Sequence, residues 1–531
     1  MTRPLSLLLL LALTIPVVAA DPAPDSPRRL LGICACDYLY ANPVSYGTDP
    51  RGTARRDFGT VLARLAEKLA VPKKQAVELS DGASPANRRP PLKAAIEQTL
   101  TRFLDSSRRQ DRIVLMFVGH AVEVDGKPYL VPLDGDFSDV ATLIPLAWVM
   151  EKLEKCPAQQ KVFVADLCRY DQAAGLFRPG GPLPPAVAAA LKNPPAGVQV
   201  WSACSGGEYS YEFETPVKVE GFEVRGGAFL NWLAKALAAG VGGVSHPEDP
   251  LPLEPLTELV GVNLKTMLPG RQTPFLAGKP GLGVLVDPKE APAKPVDLPP
   301  LPPTRVEVAA LLAEVRVPPI RALWREPPTG SAIALLPYAI AALKPYAADP
   351  TGPDNPARAA TRKAIETMRS LVKETPWELT NGDPKKLKAT ILQLQRGPAH
   401  ATLELQDALD ALDAAEGARA KDESPRWRAH YDLTRARLIL RLAHYHELNL
   451  MYGLVRKDAL PDLDKAKGET GWRLAAAQKM QSPNEVRDQV KDAVKILKKI
   501  EKDHAGTPWA VLAHRERLTR HGLEWVPARL K

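Results

Sequence analysis

Cys168 and His120 are the two side chains of this sequence whose types and setting could do chemistry together. Each closes a short apolar run. Ile113–Val118 leads through Gly119 to His120, and Lys161–Ala165 leads through Asp166 and Leu167 to Cys168. A thiol and an imidazole brought together make a nucleophile and its base. The pair lies 48 positions apart in sequence. Both runs are short and apolar, which predicts fully buried strands of an α/β sheet. Ligands of open α/β sheets gather at the carboxyl ends of the strands, where both residues would sit. The other histidines lie outside any such strand end, and His444 and His446 fall on a predicted long helix.

The elements that must position this pair come in a definite order. A strand is predicted at Leu30–Cys36, a helix from Asp57, a strand at Ala76–Leu79 and a helix at Leu92–Ile96. The His run comes next, then Gly126–Asp134, the Cys run, Val198–Cys204 and a helix start at Gly226–Leu233. In order and spacing, Leu30 to about Val286 resembles the caspase-like cysteine peptidase superfamily, closest to its paracaspase and metacaspase branch. The resemblance implies a caspase-like α/β sandwich, with a mostly parallel central sheet flanked by helices. It also implies that Cys168 attacks the scissile carbonyl while His120 protonates the leaving amine. The oxyanion would be held by the backbone N–H groups of Cys168 and of the residue after the His. That residue is commonly glycine in the family and is Ala121 here. Alanine keeps the N–H but restricts the backbone wherever a positive φ is needed.

Specificity is implied by acids around the pocket. Caspases proper carry Gln two residues before the Cys and select Asp, whereas this chain has Asp166 there, as the paracaspase and metacaspase branch does. Asp57 matches the paracaspase position for a second pocket acid, and Glu208 in Cys204-Ser-Gly-Gly-Glu208 matches a third. Three converging carboxylates repel one another, and a bound guanidinium relieves that repulsion. The expected cleavage is therefore after Arg, with Lys second. Glu212 is a further acid nearby without an assigned role. Tyr170–Val198 is a proline-rich excursion in which Arg178 precedes Pro179, a poor bond for most peptidases. Arg28-Arg29 and Lys289 or Lys294 are candidate self-processing sites.

Composition sets the frame. A chain of 531 residues suggests two to four domains. Hydrophobic content of 45% with 25% charged residues excludes wholesale disorder. A net charge of +9 with no basic stripe interleaved with aromatics argues against nucleic-acid binding. Arg3, the apolar run Leu5–Val18 and Val18-Ala19-Ala20 read as a signal peptide over residues 1–20. The mature protein is expected to be exported, periplasmic or secreted, with no membrane association after cleavage. Cys34, Cys36, Cys156, Cys168 and Cys204 are not spaced as a disulfide scaffold, nor as a zinc site with histidines. No cofactor or metal is called for.

A proline-rich linker over 287–303 is expected to be an extended, semi-rigid spacer. Beyond it, 304–531 reads as all-α. Helical periodicity marks 305–315, 357–372, 399–414, 425–454 and 486–502, with a tight turn into another helix over 503–513. Stacked hairpins like tetratricopeptide repeats or a plain helical bundle both fit. A protein partner for this half is expected from architecture alone, and a dimer through a sheet edge from the resemblance alone. The leading expectation is a cysteine endopeptidase with peptide or protein substrates. The alternative is an idle caspase fold serving as an interaction platform with the helical half.

Overall fold

The computed structural model describes residues 26–44, 57–81, 89–219, 222–244, 246, 249–281, 287, 289–291, 293–296, 298, 306–317, 332–347, 355–371 and 378–530. The expected signal peptide lies outside these residues. No helix among them is long and apolar enough to cross a membrane.

The first half runs β1 (Arg28–Cys34), α1 (Asp57–Lys68), β2 (Ala76–Ser80), α2 (Lys93–Asp105), β3 (Arg112–Val124), β4 (Lys127–Val131) and β5 (Ile144–Pro145). It continues with α3 (Leu146–Lys155), β6 (Gln160–Leu167), β7 (Arg169–Tyr170), α4 (Pro185–Lys192) and β8 (Val198–Ser202). β9 (Ser210–Val219), β10 (Phe222–Gly227), α5 (Ala228–Ala238), α6 (Leu253–Met267) and β11 (Phe275–Ala277) complete it. Strands β8-β6-β3-β1-β2 lie side by side and parallel, and β11 adds an antiparallel edge on β8. The strands read as continuous apolar runs because helices cover both faces. One face packs under α1, α5 and α6 through residues such as Leu62, Phe229 and Leu256. The other packs under α2, α3 and α4 through Leu100, Leu153 and Val187.

The sheet's register decides where the chemistry falls. Val118 pairs with Asp166 and Gly119 with Leu167, so His120 and Cys168 leave adjacent strands at one level. β3 runs on past the sheet to pair antiparallel with β4, which makes it longer than the apolar run alone predicts. A small second sheet, β10-β9-β7, stands beside the Cys end.

Arg28-Arg29 requires a correction. Both residues lie inside β1, paired with Arg112 and Ile113. The Arg29 guanidinium is buried on Gln75, Ser106, Ser107 and the Phe103 carbonyl, so that bond is not offered for processing. Lys289 and Lys294 are exposed. The described linker residues are irregular, as proline demands, but they are stitched to the sheet domain. Gln75 donates to the Ala293 carbonyl and Arg108 to that of Ala291, while Val296 and Leu298 pack on the second core.

The second half contains α7 (Val306–Val315), α8 (Ala332–Leu335), α9 (Ile340–Ala347), α10 (Pro356–Ser370), β12 (Glu378–Thr380) and α11 (Pro384–Leu394). Then come α12 (Arg396–Ala414), α13 (Glu416–Ala420), α14 (Pro425–Arg456), β13 (Gly471–Ala477), α15 (Asn484–Asp503), α16 (Pro508–Leu518) and β14 (Gly522–Ala528). It is helical, as expected, and adds a three-stranded antiparallel sheet, β12-β13-β14. Helix α14 is 32 residues long and buried on nearly every side, so it forms an axis that the other helices wrap. Its start is defined by Ser424, whose hydroxyl accepts the Trp427 N–H, with Pro425 in the first turn. The apolar core continues from the first face of the large sheet into this region, through Tyr38, Leu39, Val131 and Leu133 to Tyr338 and Leu343.

Candidate active site

His120 is held from several sides. Its backbone N–H donates to the Tyr38 hydroxyl at 2.9 Å, and that hydroxyl donates to the Val131 carbonyl at 3.1 Å. The two rings meet at a tilt of 42°, with centroids 4.8 Å apart. Gly119 makes this approach possible, since a Cβ there would stand 2.2 Å from the Tyr38 oxygen. Nε2 lies 2.5 Å from the main-chain carbonyl oxygen of Asn42. A carbonyl can only accept, so Nε2 carries the proton and Nδ1 holds the lone pair. Nδ1 is buried and has no hydrogen-bond partner among the described residues. Burial pushes the imidazole down to about pH 4, with the Asn42 bond opposing, so it is neutral at physiological pH.

Cys168 is placed differently. It comes directly after β6 with φ of +60°, a conformation that costs a non-glycine residue about 1–2 kcal/mol. Its side chain belongs to the second core, with Ala121, Leu183, Val187 and Cys204. Sγ lies 3.5 Å from the Ala121 carbonyl oxygen. His120, sharing the face of Val118 and Tyr38, looks to the other side. The thiol and imidazole therefore make no hydrogen bond in this conformation. Burial raises the thiol to about pH 12, so it is protonated and unreactive as it stands.

The expected oxyanion donors are also only partly available. The Cys168 N–H donates to the Gly119 carbonyl at 2.8 Å. Ala121 stands opposite Leu130 on β4 and has no positive φ, so alanine is unstrained there.

The three expected pocket acids are not gathered around open space. Asp166 is fully buried, 2.5 Å from the Arg169 guanidinium and 2.5 Å from the Ser210 hydroxyl. Arg169 also reaches Glu212 at 3.4 Å, which gives that acid a role the sequence left unassigned. The seat for this guanidinium is built in, because a Cβ at Gly227 would stand 1.9 Å from Arg169 Nη2. Glu208 accepts from the Ser205 and Thr273 N–H groups and the Thr273 hydroxyl, closing its own loop. Asp57 opens α1, and its side chain lies outside the described residues. Beside β7, Tyr170 and Tyr209 stack at 4.4 Å and Arg271 lies over Tyr211 at 4.4 Å.

Sequence reasoning missed Asn42, Tyr38 and the Arg169 network. Asn42 acts through a main-chain carbonyl and leaves no residue-type signal. Arg169 was visible three positions after Asp166, as an opposite charge that could fold back on it. The other cysteines are buried and unpaired, and the Cys34 and Cys36 sulfurs lie 3.6 Å apart.

Residues 46–250 match the family model of the caspase domain. The parallel sheet with its flanking helices agrees with that match, and together they support a caspase-like domain with cysteine-peptidase chemistry in this part of the chain. Among curated proteins, none matches the chain.

Proposed function

We propose that this protein is an endopeptidase of the paracaspase and metacaspase type, cutting after Arg or Lys with Cys168 as nucleophile and His120 as base. The observation that carries the reading is the Asn42 carbonyl on His120 Nε2, which leaves an unprotonated Nδ1 at the carboxyl end of the strand beside the Cys strand. In the acting form, Nδ1 takes the Cys168 proton and the thiolate attacks the scissile carbonyl. The proton then passes to the leaving amine, and water releases the acyl group from sulfur. The family match supports peptidase chemistry in general. The Arg preference rests on the acids. In the resting form the guanidinium on Asp166 is the chain's own Arg169, and a substrate guanidinium would take over that place. Export of the mature chain, dimer formation and a protein partner for the helical half belong to the same proposal.

The test is cleavage of paired fluorogenic peptides, ending in Arg or in Asp, by the reduced full-length protein and by Cys168→Ala. Arg-directed cleavage that disappears in the variant is expected. Cleavage only after Asp would keep the dyad and remove the acidic-pocket argument. Silence with both peptides would leave the caspase fold as an interaction platform.

A further inference from the structure

We propose that the helical half holds the peptidase half in its resting form by gripping the segment just after Cys168, and that loosening this grip lets the dyad assemble. The biological meaning rests on the peptidase reading, whereas the physical content concerns the accessibility of one thiol.

The segment is residues 171–179, which leave β7 and cross to the helical half. The Ala476 N–H, on β13, donates to the Ala174 carbonyl at 3.1 Å, and Gly175 forms a β-bridge with Ala476. Arg520, at the turn before β14, takes two carbonyls. Its N–H reaches Phe177 at 2.8 Å and its guanidinium reaches Leu176 at 3.0 Å. Phe177 packs on Ala476. The far end of the segment is tied to the base. The Asn42 side chain accepts from the Phe177 and Arg178 N–H groups, and the Asn42 N–H donates to the Pro179 carbonyl. The near end is Cys168-Arg169, with its guanidinium in the buried network on Asp166 and Glu212.

This tether decides what Cys168 can do. Bringing the thiol from the second core to the face of His120 turns on the Cys168 backbone leaving its left-handed conformation. That rotation changes the path of Tyr170 and the residues after it. Gly175 is pinned, so that change must be taken up within Tyr170–Ala174. The pin is specific. Gly175 has φ of +76°, and a Cβ there would lie 2.5 Å from the Ala476 oxygen and 2.9 Å from its nitrogen. Only glycine permits two backbones to meet so closely.

Room for release exists beside the tether. Asp171, Gln172 and Ala173 line a cavity of about 430 Å³ whose far wall is Arg473 and Val526–Ala528 of the helical half. The segment can shift into it while the apolar core between the two halves stays intact. The device is a local latch.

The experiment uses full-length Gly175→Ala and Arg520→Ala, with native alkylation by iodoacetamide mapped to each cysteine. All five thiols are buried in the wild type, so labelling is expected to be slow. Each variant should label Cys168 faster by about tenfold or more while Cys34, Cys36, Cys156 and Cys204 stay protected, the signature of local opening. Cys168-dependent cleavage of the Arg peptide should rise in step. Selective labelling without cleavage would support the latch and count against the peptidase reading. Unchanged Cys168 labelling in both variants overturns the latch, and so does an equal rise at all five cysteines, which would make the contact merely structural.

Discussion

His120, inside β3 where it runs on past β6, and Cys168, directly after β6, stand at one level of the sheet, yet they are held very differently. The base has its tautomer set by a carbonyl and its backbone held by a tyrosine hydroxyl. The nucleophile is protonated, buried with apolar neighbours, and kept in a left-handed conformation. The base is thus held by β3, Tyr38 and Asn42, the last of which also meets the far end of the 171–179 segment. The nucleophile's position depends on residues 171–179, and that segment answers to the helical half. Under the proposed latch, regulation would act on Cys168. A neutral imidazole waiting with a lone pair costs little, whereas an exposed thiolate would be open to oxidation.

The largest expected effect comes from removing the charge beside the nucleophile. Arg169→Ala would remove the guanidinium that both buried acids, Asp166 and Glu212, reach, and breaking a buried pair this way costs about 3–5 kcal/mol. Urea denaturation of the reduced protein should show a loss of that size. A loss under about 1 kcal/mol, within the range of exposed pairs, would mean that the network adds little. Asp166 would then be free to meet a substrate, and the two ends of the dyad would differ less than the geometry says.

Tyr38→Phe attacks the other side of the comparison. The hydroxyl accepts from the His120 N–H and donates to the Val131 carbonyl, and both partners are buried. Leaving them unsatisfied costs about 1–3 kcal/mol. Stability should fall by that amount, and in Gly175→Ala or Arg520→Ala the rate should fall through kcat with little change in KM. A rise in KM alone would show that Tyr38 serves substrate binding instead of holding the base.

Much of this was legible in the sequence, and the reasons are physical. The central strands β3 and β6 are continuous apolar runs, as buried parallel strands must be, so they could be read directly, whereas the edge strands β5 and β11 could not. The residues at the strand ends were given by the same runs. What lay outside reach depends on main-chain atoms or on distant contacts. The Asn42 carbonyl has no side-chain signature. The Gly175–Ala476 approach joins residues far apart in sequence, and a glycine in a proline-rich excursion looks like any loop glycine. Strands β13 and β14 hide because Leu474–Ala477 and Val526-Pro527-Ala528 are short and alanine-rich or broken by proline, without the β-branched alternation that announces a strand. The pairing of the acids was not readable, since Arg169 could have pointed outward instead of folding back on Asp166.

The smallest effect concerns the seam between the halves. His514 of α16 lies 2.6 Å from Asp136, in the loop after β4, and 2.9 Å from Glu501 of α15. The Tyr40 ring meets its edge at 4.8 Å, and Arg517 from its own helix completes the groups that face it. Burial works against protonation here, but the hydrogen bonds and charges of the two carboxylates outweigh it and raise the imidazole. Asp136 is correspondingly held down at about 2, with His514 and Ser138 opposing its burial. A group whose pKa is raised on folding stabilises fully below its unfolded value, near 6.5, and loses that contribution as pH rises through the folded value. His120 and His521 are depressed to about 4, so their effect has the opposite sign and falls between that value and the unfolded one. Thermal melts should therefore show wild type losing about 1 kcal/mol or less above neutrality relative to His514→Gln. Parallel melting curves across that range would place the seam's strength in its apolar core, and the latch would then be independent of pH.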